Sequence, residues 1–263
     1  MNRHIILTSG RSGSNYLANT LNQHPQIVNY GEVLASMLIT YKLYEKSKKY
    51  KNWSVIDYLD YVYNSKTFFY MAQFFSAYSH LKKKKPINFK RLGKIKNLGT
   101  KDFFLNYDKK NCVNFLIKNE DIAVIYLSRG NRLRRYLSAV FLKKTHIASS
   151  EKTLKVQKVK IVPAEMMTTL KVLDKEIENE KKIVSQLEKN NRLLSIKYED
   201  YFADGEAIFT HNQRVFEFLG VTPLPLKSQH KKILPQRMYD LVENYDEFCA
   251  CLTDTKYRKY LDD

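Results

Sequence analysis

The chain has 263 residues, with 45 lysines and arginines against 27 aspartates and glutamates, and a formal net charge of +18. Its hydrophobic content of 44% with 27% charged residues excludes wholesale disorder, and its length can bury one large core. No apolar run reaches the ~18 residues that a membrane span needs. Because the three cysteines show neither a Cys-x-x-Cys pair nor zinc-site spacing, we expect a reduced, cytoplasmic protein.

The first 30 residues have the pattern of a strand, a helix and a second strand. An apolar, β-branched run over 4–8 stops at Ser9-Gly10, and a helix begins near Ser14. Pro25 predicts the end of this helix at His24, and residues 27–30 then form a short strand. Strand, turn, helix and strand within about 30 residues are typical of a βαβ unit and predict a parallel sheet.

Residues 36–96 interrupt this rhythm with a helical insertion rich in Tyr, Phe and Lys, which is a candidate substrate cap. The α/β pattern resumes near Leu98 and continues to the C-terminal region. It predicts a helix over 108–119, a buried strand over 122–127, a basic helix to 144, a mobile loop over 146–162, a scaffold helix over 163–190, a strand over 193–198 and a helix over 207–219. We therefore expect one α/β domain over 1–263, a central parallel sheet flanked by helices.

The turn after the first strand carries the chemistry of an anion site. Its sequence is Thr8-Ser9-Gly10-Arg11-Ser12-Gly13-Ser14-Asn15. The two glycines let several N–H groups point at one anion, the following helix adds its positive end, and the side chains of Ser12, Ser14 and Asn15 add donors. The turn is P-loop-like but is not a Walker A loop, because Ser14 follows Gly13 and the cation, Arg11, precedes it. The alternative is an ordinary polar turn.

A second cluster follows the strand over 122–127. Arg129 comes at the carboxyl end of that strand, where open α/β sheets bind ligands, and Ser138 follows nine residues later. An arginine there can fork onto a phosphate, and the serine can donate from the next helix. For Arg132, Arg134 and Arg135 on the same helix, a solvated basic face is an equal alternative.

Together these motifs resemble the sulfotransferase family, whose members use 3′-phosphoadenosine 5′-phosphosulfate. The match consists of the loop over 9–17, the segment 125–129 with Ser138, and the shorter pieces His24-Pro25, Gly31-Glu32, 197–200 and 218–221. The nine-residue step from Arg129 to Ser138 is closest to the bacterial, trehalose-type branch. The resemblance covers residues 1–35, 97–145 and 190–250, and so leaves the insertion uncovered.

The resemblance implies roles for residues on both sides of the donor. The residues implied to bind it are Gly10, Arg11, Ser12, Gly13, Ser14 and Asn15 at the 5′-phosphosulfate, Arg129 and Ser138 at the 3′-phosphate, and Tyr198. Lys231 is either a further cation at the 3′-phosphate or part of an exposed basic loop. Arg11 would also stabilise charge on the departing phosphate, and Lys101 would be an active-site cation. Glu32 matches the position of the base in the trehalose-type branch, whereas Phe103 stands where the cytosolic branch has its histidine.

The implied function is sulfuryl transfer from 3′-phosphoadenosine 5′-phosphosulfate, as co-substrate, to a hydroxyl of a carbohydrate or glycolipid, with no metal and no nucleic acid. The apolar insertion helices form either a homodimer face or a wall of the acceptor site. Two rival functions are open at this point: a P-loop-type small-molecule kinase that requires magnesium and ATP, and a non-catalytic basic protein that binds nucleic acid or an anionic surface.

Overall fold

The computed structural model describes residues 1–82, 84, 86–148, 150–151, 156–231, 234 and 237–261. The strands are β1 (Asn2–Thr8), β2 (Ile27–Asn29), β3 (Asn97–Phe103), β4 (Ile122–Ser128) and β5 (Leu193–Lys197). The helices are α1 (Ser14–Gln23), α2 (Ile39–Lys51), α3 (Val55–Asn64), α4 (Lys66–Lys82), α5 (Phe104–Lys109), α6 (Val113–Lys118), α7 (Arg132–Thr145), α8 (Pro163–Asn190), α9 (Tyr198–Tyr201), α10 (Gly205–Phe218) and α11 (Tyr245–Ala250). In this part of the chain, no helix is both long and apolar enough to cross a membrane.

The five strands form one parallel sheet in the order β2-β3-β1-β4-β5, which confirms the predicted α/β class. The central strand, β1, pairs with β3 and β4, and its last residue, Thr8, lies opposite Phe103 and Leu127. At the end of β4, Ser128 lies opposite Lys197 of β5. The segments that follow β1, β3, β4 and β5 therefore leave the sheet at one edge, where parallel α/β sheets bind their ligands.

Both faces of the sheet are covered. Ile5 and Leu7 belong to one hydrophobic cluster, together with residues of α3 to α6. Ile6, between them in sequence, belongs to a second cluster with residues of α1 and α10. Successive side chains of a strand point to opposite faces, so the continuous apolar run in β1 is explained by burial on both sides.

The insertion is helical, as expected, and consists of α2, α3 and α4 between β2 and β3. Ser54 and Asp57 form a reciprocal capping box at the start of α3. On the buried side of α3, Leu59 packs in the same cluster as Ile5, and the Tyr63 hydroxyl donates to the carbonyl oxygen of His4 at 3.2 Å. These contacts make the insertion part of the layer that covers one face of the sheet.

Two sequence-based boundaries differ from the structure. The single helix predicted over 108–119 is two helices, α5 and α6, because Asn111 lies in the left-handed region at φ 51° and α5 begins directly after β3. The loop predicted over 146–162 includes residues 149 and 152–155, which lie outside the described residues. Its later part is tied to the C-terminal region, since the Val159 N–H donates to the Leu241 carbonyl oxygen at 2.9 Å.

A buried histidine links three neighbouring strands. The His4 Nδ1–H donates to Asn97 Oδ1 at 2.5 Å, and the Asn29 side-chain amide donates to His4 Nε2 at 3.0 Å. This arrangement requires the neutral imidazole, because the protonated ring would present two donors. Burial lowers the pKa of His4 from 6.5 to about 4, and the hydrogen bond to Asn97 opposes this shift.

We expect His4 to make folding sensitive to acid. Below pH 6.5 the unfolded chain protonates His4 while the folded protein does not, so stability is lost between pH 6.5 and pH 4 by about 3 kcal/mol. Urea unfolding of wild type and His4→Gln at pH 7 and pH 4.5 gives the free energy of unfolding of each protein. The difference between the two proteins cancels the contributions of the other titrating groups. The advantage of wild type over His4→Gln should shrink at pH 4.5; an advantage that stays constant would contradict the assignment.

Candidate anion-binding site

The phosphate loop, residues 9–15, has the backbone of an anion cradle. Gly10, Arg11 and Gly13 lie in the left-handed region with φ values of 89°, 55° and 80°. The Gly10 N–H donates to Thr8 Oγ1 at 3.2 Å, and the hydroxyls of Thr8 and Ser12 hydrogen bond to each other. Gly13 precedes α1, whose first N–H groups have no side-chain cap among the described residues, an arrangement that suits an anion at the start of the helix.

Gly13 is required by space as well as by its backbone conformation. A Cβ atom at this position would lie 2.4 Å from the Phe202 ring. That ring is itself held by Tyr198 and Tyr201, with ring centroids 4.7 and 4.5 Å away. The segment after β5 therefore packs directly against the phosphate loop.

The structure brings Arg11, Arg129 and Ser138 together. Arg11 Nε donates to Ser138 Oγ at 2.9 Å, and Arg129 Nη1 donates to the carbonyl oxygen of Arg11 at 2.9 Å. The loop after β1 and the turn after β4 thus form one site, although more than 100 residues separate them in sequence. The structure therefore places three of the predicted site residues in contact.

The two guanidinium groups lie close together, and the negative charge of Glu199 acts on Arg129. Burial lowers the pKa of both Arg11 and Arg129, and the charge of Arg129 lowers that of Arg11 further. Within the described part of the chain, neither group forms an ion pair, and the buried Nε of Arg129 has no hydrogen-bond partner. Two neighbouring cations with unused donors favour binding of a multiply charged anion.

Residues after β5 hold Arg129 in position. The Tyr198 ring lies under the Arg129 guanidinium, with the ring centroid 4.2 Å from Cζ. The Glu199 carboxylate accepts hydrogen bonds from the N–H groups of Gly130 and Asn131, each at 3.0 Å. Since the Asn131 side chain in turn caps α7, the direction in which Arg129 leaves the sheet is defined by β5 as well as by β4.

Glu32 and Lys101 form an ion pair on the other side of the loop. Lys101 Nζ donates to Glu32 Oε1 and lies 4.9 Å from the centre of the Phe103 ring. The buried Asp102 accepts hydrogen bonds from the N–H groups that follow Glu32, which fixes this segment beside β3. Phe103 also lies next to Gly10, where a Cβ would come within 3.3 Å of the ring. The pair therefore borders the loop through Phe103.

Lys231 is placed apart from these residues. Its backbone N–H donates to the Ser150 carbonyl oxygen at 2.8 Å in an isolated bridge, and the residue is exposed. No contact among the described residues joins its side chain to Arg129 or Ser138. Its neighbour Lys232 lies outside the described residues.

Three charged residues near the loop were not predicted as site residues. Arg135 is 5% exposed, so the solvated-face interpretation is wrong for it. Its Nη2 donates to the Ser9 carbonyl oxygen at 2.7 Å and to Glu176 Oε2 at 2.9 Å. Glu180, one turn further along α8, is 2% exposed. The available signal was its position within the apolar stripe of α8 between Ile177 and Val184.

A cleft of about 500 Å³ opens between the phosphate loop, α5, α7 and α8. Glu180 lines it, and burial raises the pKa of this carboxyl to about 7, opposed by the charge of Arg135 and by the hydroxyls of Ser9 and Tyr126. A protonatable group of this kind beside a positively charged loop is typical of an active site. The fold and these groups together define an α/β protein with a candidate anion site and an adjoining cleft.

Comparisons with known proteins give structural likenesses only. The chain is similar to a sulfotransferase from Alicyclobacillus acidocaldarius, with 13% identity, a TM-score of 0.47 and coverage of 95% of this chain and 93% of that one. It is also similar to the sulfotransferase domain from the Synechococcus PCC 7002 olefin synthase, with 14% identity, a TM-score of 0.41 and coverage of 84% of this chain and 74% of that one. For the sulfotransferase domain from the curacin biosynthetic pathway, the identity is 17%, the TM-score is 0.42, and the coverage is 86% of this chain and 76% of that one. Neither a protein-family model nor a curated protein sequence matches the chain. At these identities, we base the function on the side chains of the site.

Proposed function

We propose that this protein is a sulfotransferase that moves a sulfuryl group from 3′-phosphoadenosine 5′-phosphosulfate to a hydroxyl of a carbohydrate or glycolipid. The observation that carries the proposal is the pair of half-buried guanidinium groups, Arg11 and Arg129, beside the phosphate loop. Neither forms an ion pair with a described residue. A nucleotide with phosphates at two positions would satisfy both cations at once.

The donor would be held by residues that meet at the edge of the sheet. Gly10 to Asn15 would bind the 5′-phosphosulfate through backbone N–H groups and the hydroxyls of Ser12 and Ser14. Arg129 and Ser138 would bind the 3′-phosphate, which distinguishes this donor from ATP. The unpartnered, buried Nε of Arg129 supports this role, since it is a donor left without an acceptor among the described residues.

Sulfuryl transfer is an in-line displacement in which the enzyme mainly positions reactants and stabilises charge. Arg11 would stabilise the negative charge that develops on the departing phosphate. Lys101 would donate to the sulfuryl oxygens, and Glu32 would hold that ammonium through Oε1. Glu32 Oε2 is the oxygen through which the base role implied by the family resemblance would act.

Titration calorimetry tests the donor class directly. We expect adenosine 3′,5′-bisphosphate to bind without metal and at least tenfold more tightly than ATP with magnesium, because only the bisphosphate reaches both cations. A preference for ATP that depends on magnesium would favour the kinase alternative. Equal, salt-sensitive binding of any polyanion would favour the non-catalytic basic protein.

Replacing Glu32 by glutamine should lower turnover at least tenfold while changing the affinity for adenosine 3′,5′-bisphosphate less than threefold. The reason is that the change removes the charge that holds Lys101 but leaves the phosphate loop intact. Turnover is measured by transfer of radiolabelled sulfate. Near-normal turnover would remove the Glu32–Lys101 pair from the mechanism.

A further inference from the structure

The cleft beside the phosphate loop is a built binding site. Ser9, Gly10 and Arg11 border it. Most of its lining surface is apolar, and the residues that contribute to it include Phe103, Phe104, Leu105, Tyr136 and Leu173. Its volume of about 500 Å³ falls in the range of small-molecule sites. An apolar cleft that opens onto an anion loop suits a molecule with an apolar body and one polar, reacting end.

Two buried polar atoms on the cleft wall lack partners. Glu180 Oε1 and Arg135 Nη1 have no hydrogen-bond partner among the described residues, and both side chains line the cleft. An unsatisfied buried polar atom costs about 1–3 kcal/mol, so such atoms concentrate where a ligand or a reaction uses them. Ser9 lines the same cleft and is half-buried, and its hydroxyl is one of the groups that oppose the raised pKa of Glu180.

The polar and charged groups around Glu180 come from four elements. Arg135 lies on α7 and Glu176 on α8, and the Tyr126 hydroxyl reaches it from β4. Asp108 of α5 and Lys175 of α8 line the same cleft. Arg135 is engaged with Glu176 and with the Ser9 carbonyl oxygen, so it does not form an ion pair with Glu180 among the described residues.

We propose, on the basis of the function proposed above, that this cleft binds an acceptor with an apolar body and a reacting hydroxyl, and that Glu180 takes up the hydroxyl proton through Ser9. The acceptor oxygen forms a bond to sulfur as the bond from sulfur to the 5′-phosphate oxygen breaks, and the leaving bisphosphate keeps the electron pair. The acceptor proton moves to Ser9 Oγ while the proton of Ser9 moves to Glu180. The resulting carboxylic acid then releases that proton to water.

This assignment competes with Glu32 as the final proton acceptor. Glu32 Oε1 is engaged by Lys101, whereas Glu180 Oε1 has no partner among the described residues and lines the cleft. The pH dependence of kcat/KM distinguishes which of the two carboxylates accepts the proton. The group that accepts the proton must be ionised, and burial places the pKa of Glu180 at about 7.

The experiment measures transfer of radiolabelled sulfate to n-octyl β-glucoside and to glucose. Wild type should use the octyl compound at least tenfold more efficiently, and its kcat/KM should fall as the pH drops through about 7. Glu180→Gln should lower kcat about 100-fold and abolish this fall in kcat/KM at acidic pH, while the affinity for adenosine 3′,5′-bisphosphate stays unchanged. Ser9→Ala should also abolish the fall in kcat/KM at acidic pH, whereas Glu32→Gln should retain it.

A substitution at the cleft mouth separates acceptor binding from donor binding. Ala139→Trp on α7 should raise KM for octyl glucoside at least tenfold without changing bisphosphate affinity, whereas Ala250→Trp at the end of α11 is the matched control. An unchanged KM for octyl glucoside in Ala139→Trp would overturn the proposal, and so would a fall in kcat/KM at acidic pH that persists in Glu180→Gln. Transfer to glucose alone, or no transfer despite bisphosphate binding, would also overturn it. If the wild-type protein does not bind adenosine 3′,5′-bisphosphate, the result would instead contradict the proposed function.

Discussion

Replacing Arg129 by alanine is expected to weaken binding of adenosine 3′,5′-bisphosphate by about 100-fold, or about 3 kcal/mol. The guanidinium is half-buried beside Tyr198 and donates to the Arg11 carbonyl oxygen, so it is already oriented toward the phosphate loop. Removing it deletes a charge-assisted contact and loosens Arg11 at the same time. Calorimetric titration of both proteins at one salt concentration measures the effect.

The ligand comparison makes this result specific. Adenosine 5′-monophosphate lacks the 3′-phosphate, so its affinity should fall less than tenfold in Arg129→Ala. Arg129→Lys should recover only part of the loss, because an ammonium cannot form the two-pronged contact. Arg91→Ala is the matched control for charge, since Arg91 is exposed and precedes β3, at the opposite edge of the sheet. Equal losses for both nucleotides, or no loss for either, would contradict the role of Arg129.

Replacing Gly99 by alanine should destabilise the fold by about 4 kcal/mol. Gly99 lies in β3 opposite His4 of β1, and an added Cβ would lie 2.2 Å from the His4 carbonyl oxygen and 2.4 Å from Nδ1. A backbone atom in the centre of a sheet cannot move away without breaking the pairing of β1 with β3. Urea unfolding followed by circular dichroism measures the loss.

Gly205→Ala provides the control for this substitution. Nothing lies within 4 Å of a Cβ at Gly205, which begins α10 with an ordinary φ. This change should leave stability the same or raise it by up to about 1 kcal/mol, because alanine restricts the unfolded chain. A Gly99→Ala protein within 1 kcal/mol of wild type would show that the two strands are less closely packed than the structure has them. Failure of that variant to accumulate as folded protein agrees with the prediction.

Local patterns predicted the parts of the fold that depend on neighbours in sequence. The run in β1, the glycines of the loop and the Pro25 stop defined the first βαβ unit, because backbone geometry and periodicity act over a few residues. The buried strand β4 and the long helix α8 were recognised for the same reason. The break at Asn111 was missed because a left-handed residue inside a helical pattern leaves little trace in composition.

Some residues of the candidate site could be predicted from the sequence, and others were found only in the tertiary structure. The sequence by itself predicted the loop after β1 and Arg129 after β4, since glycines and a cation at a strand end form a local pattern, and the family resemblance supported Ser138 as their partner. Only the tertiary structure decided that Lys101 meets Glu32, that Arg135 turns inward to Ser9, and that Glu180 lines a cleft. These outcomes depend on strand order and on which face of α7 and α8 docks against the loop. A charged side chain has the same local pattern whether that face meets water or protein, so its burial is set by contacts between elements distant in the chain.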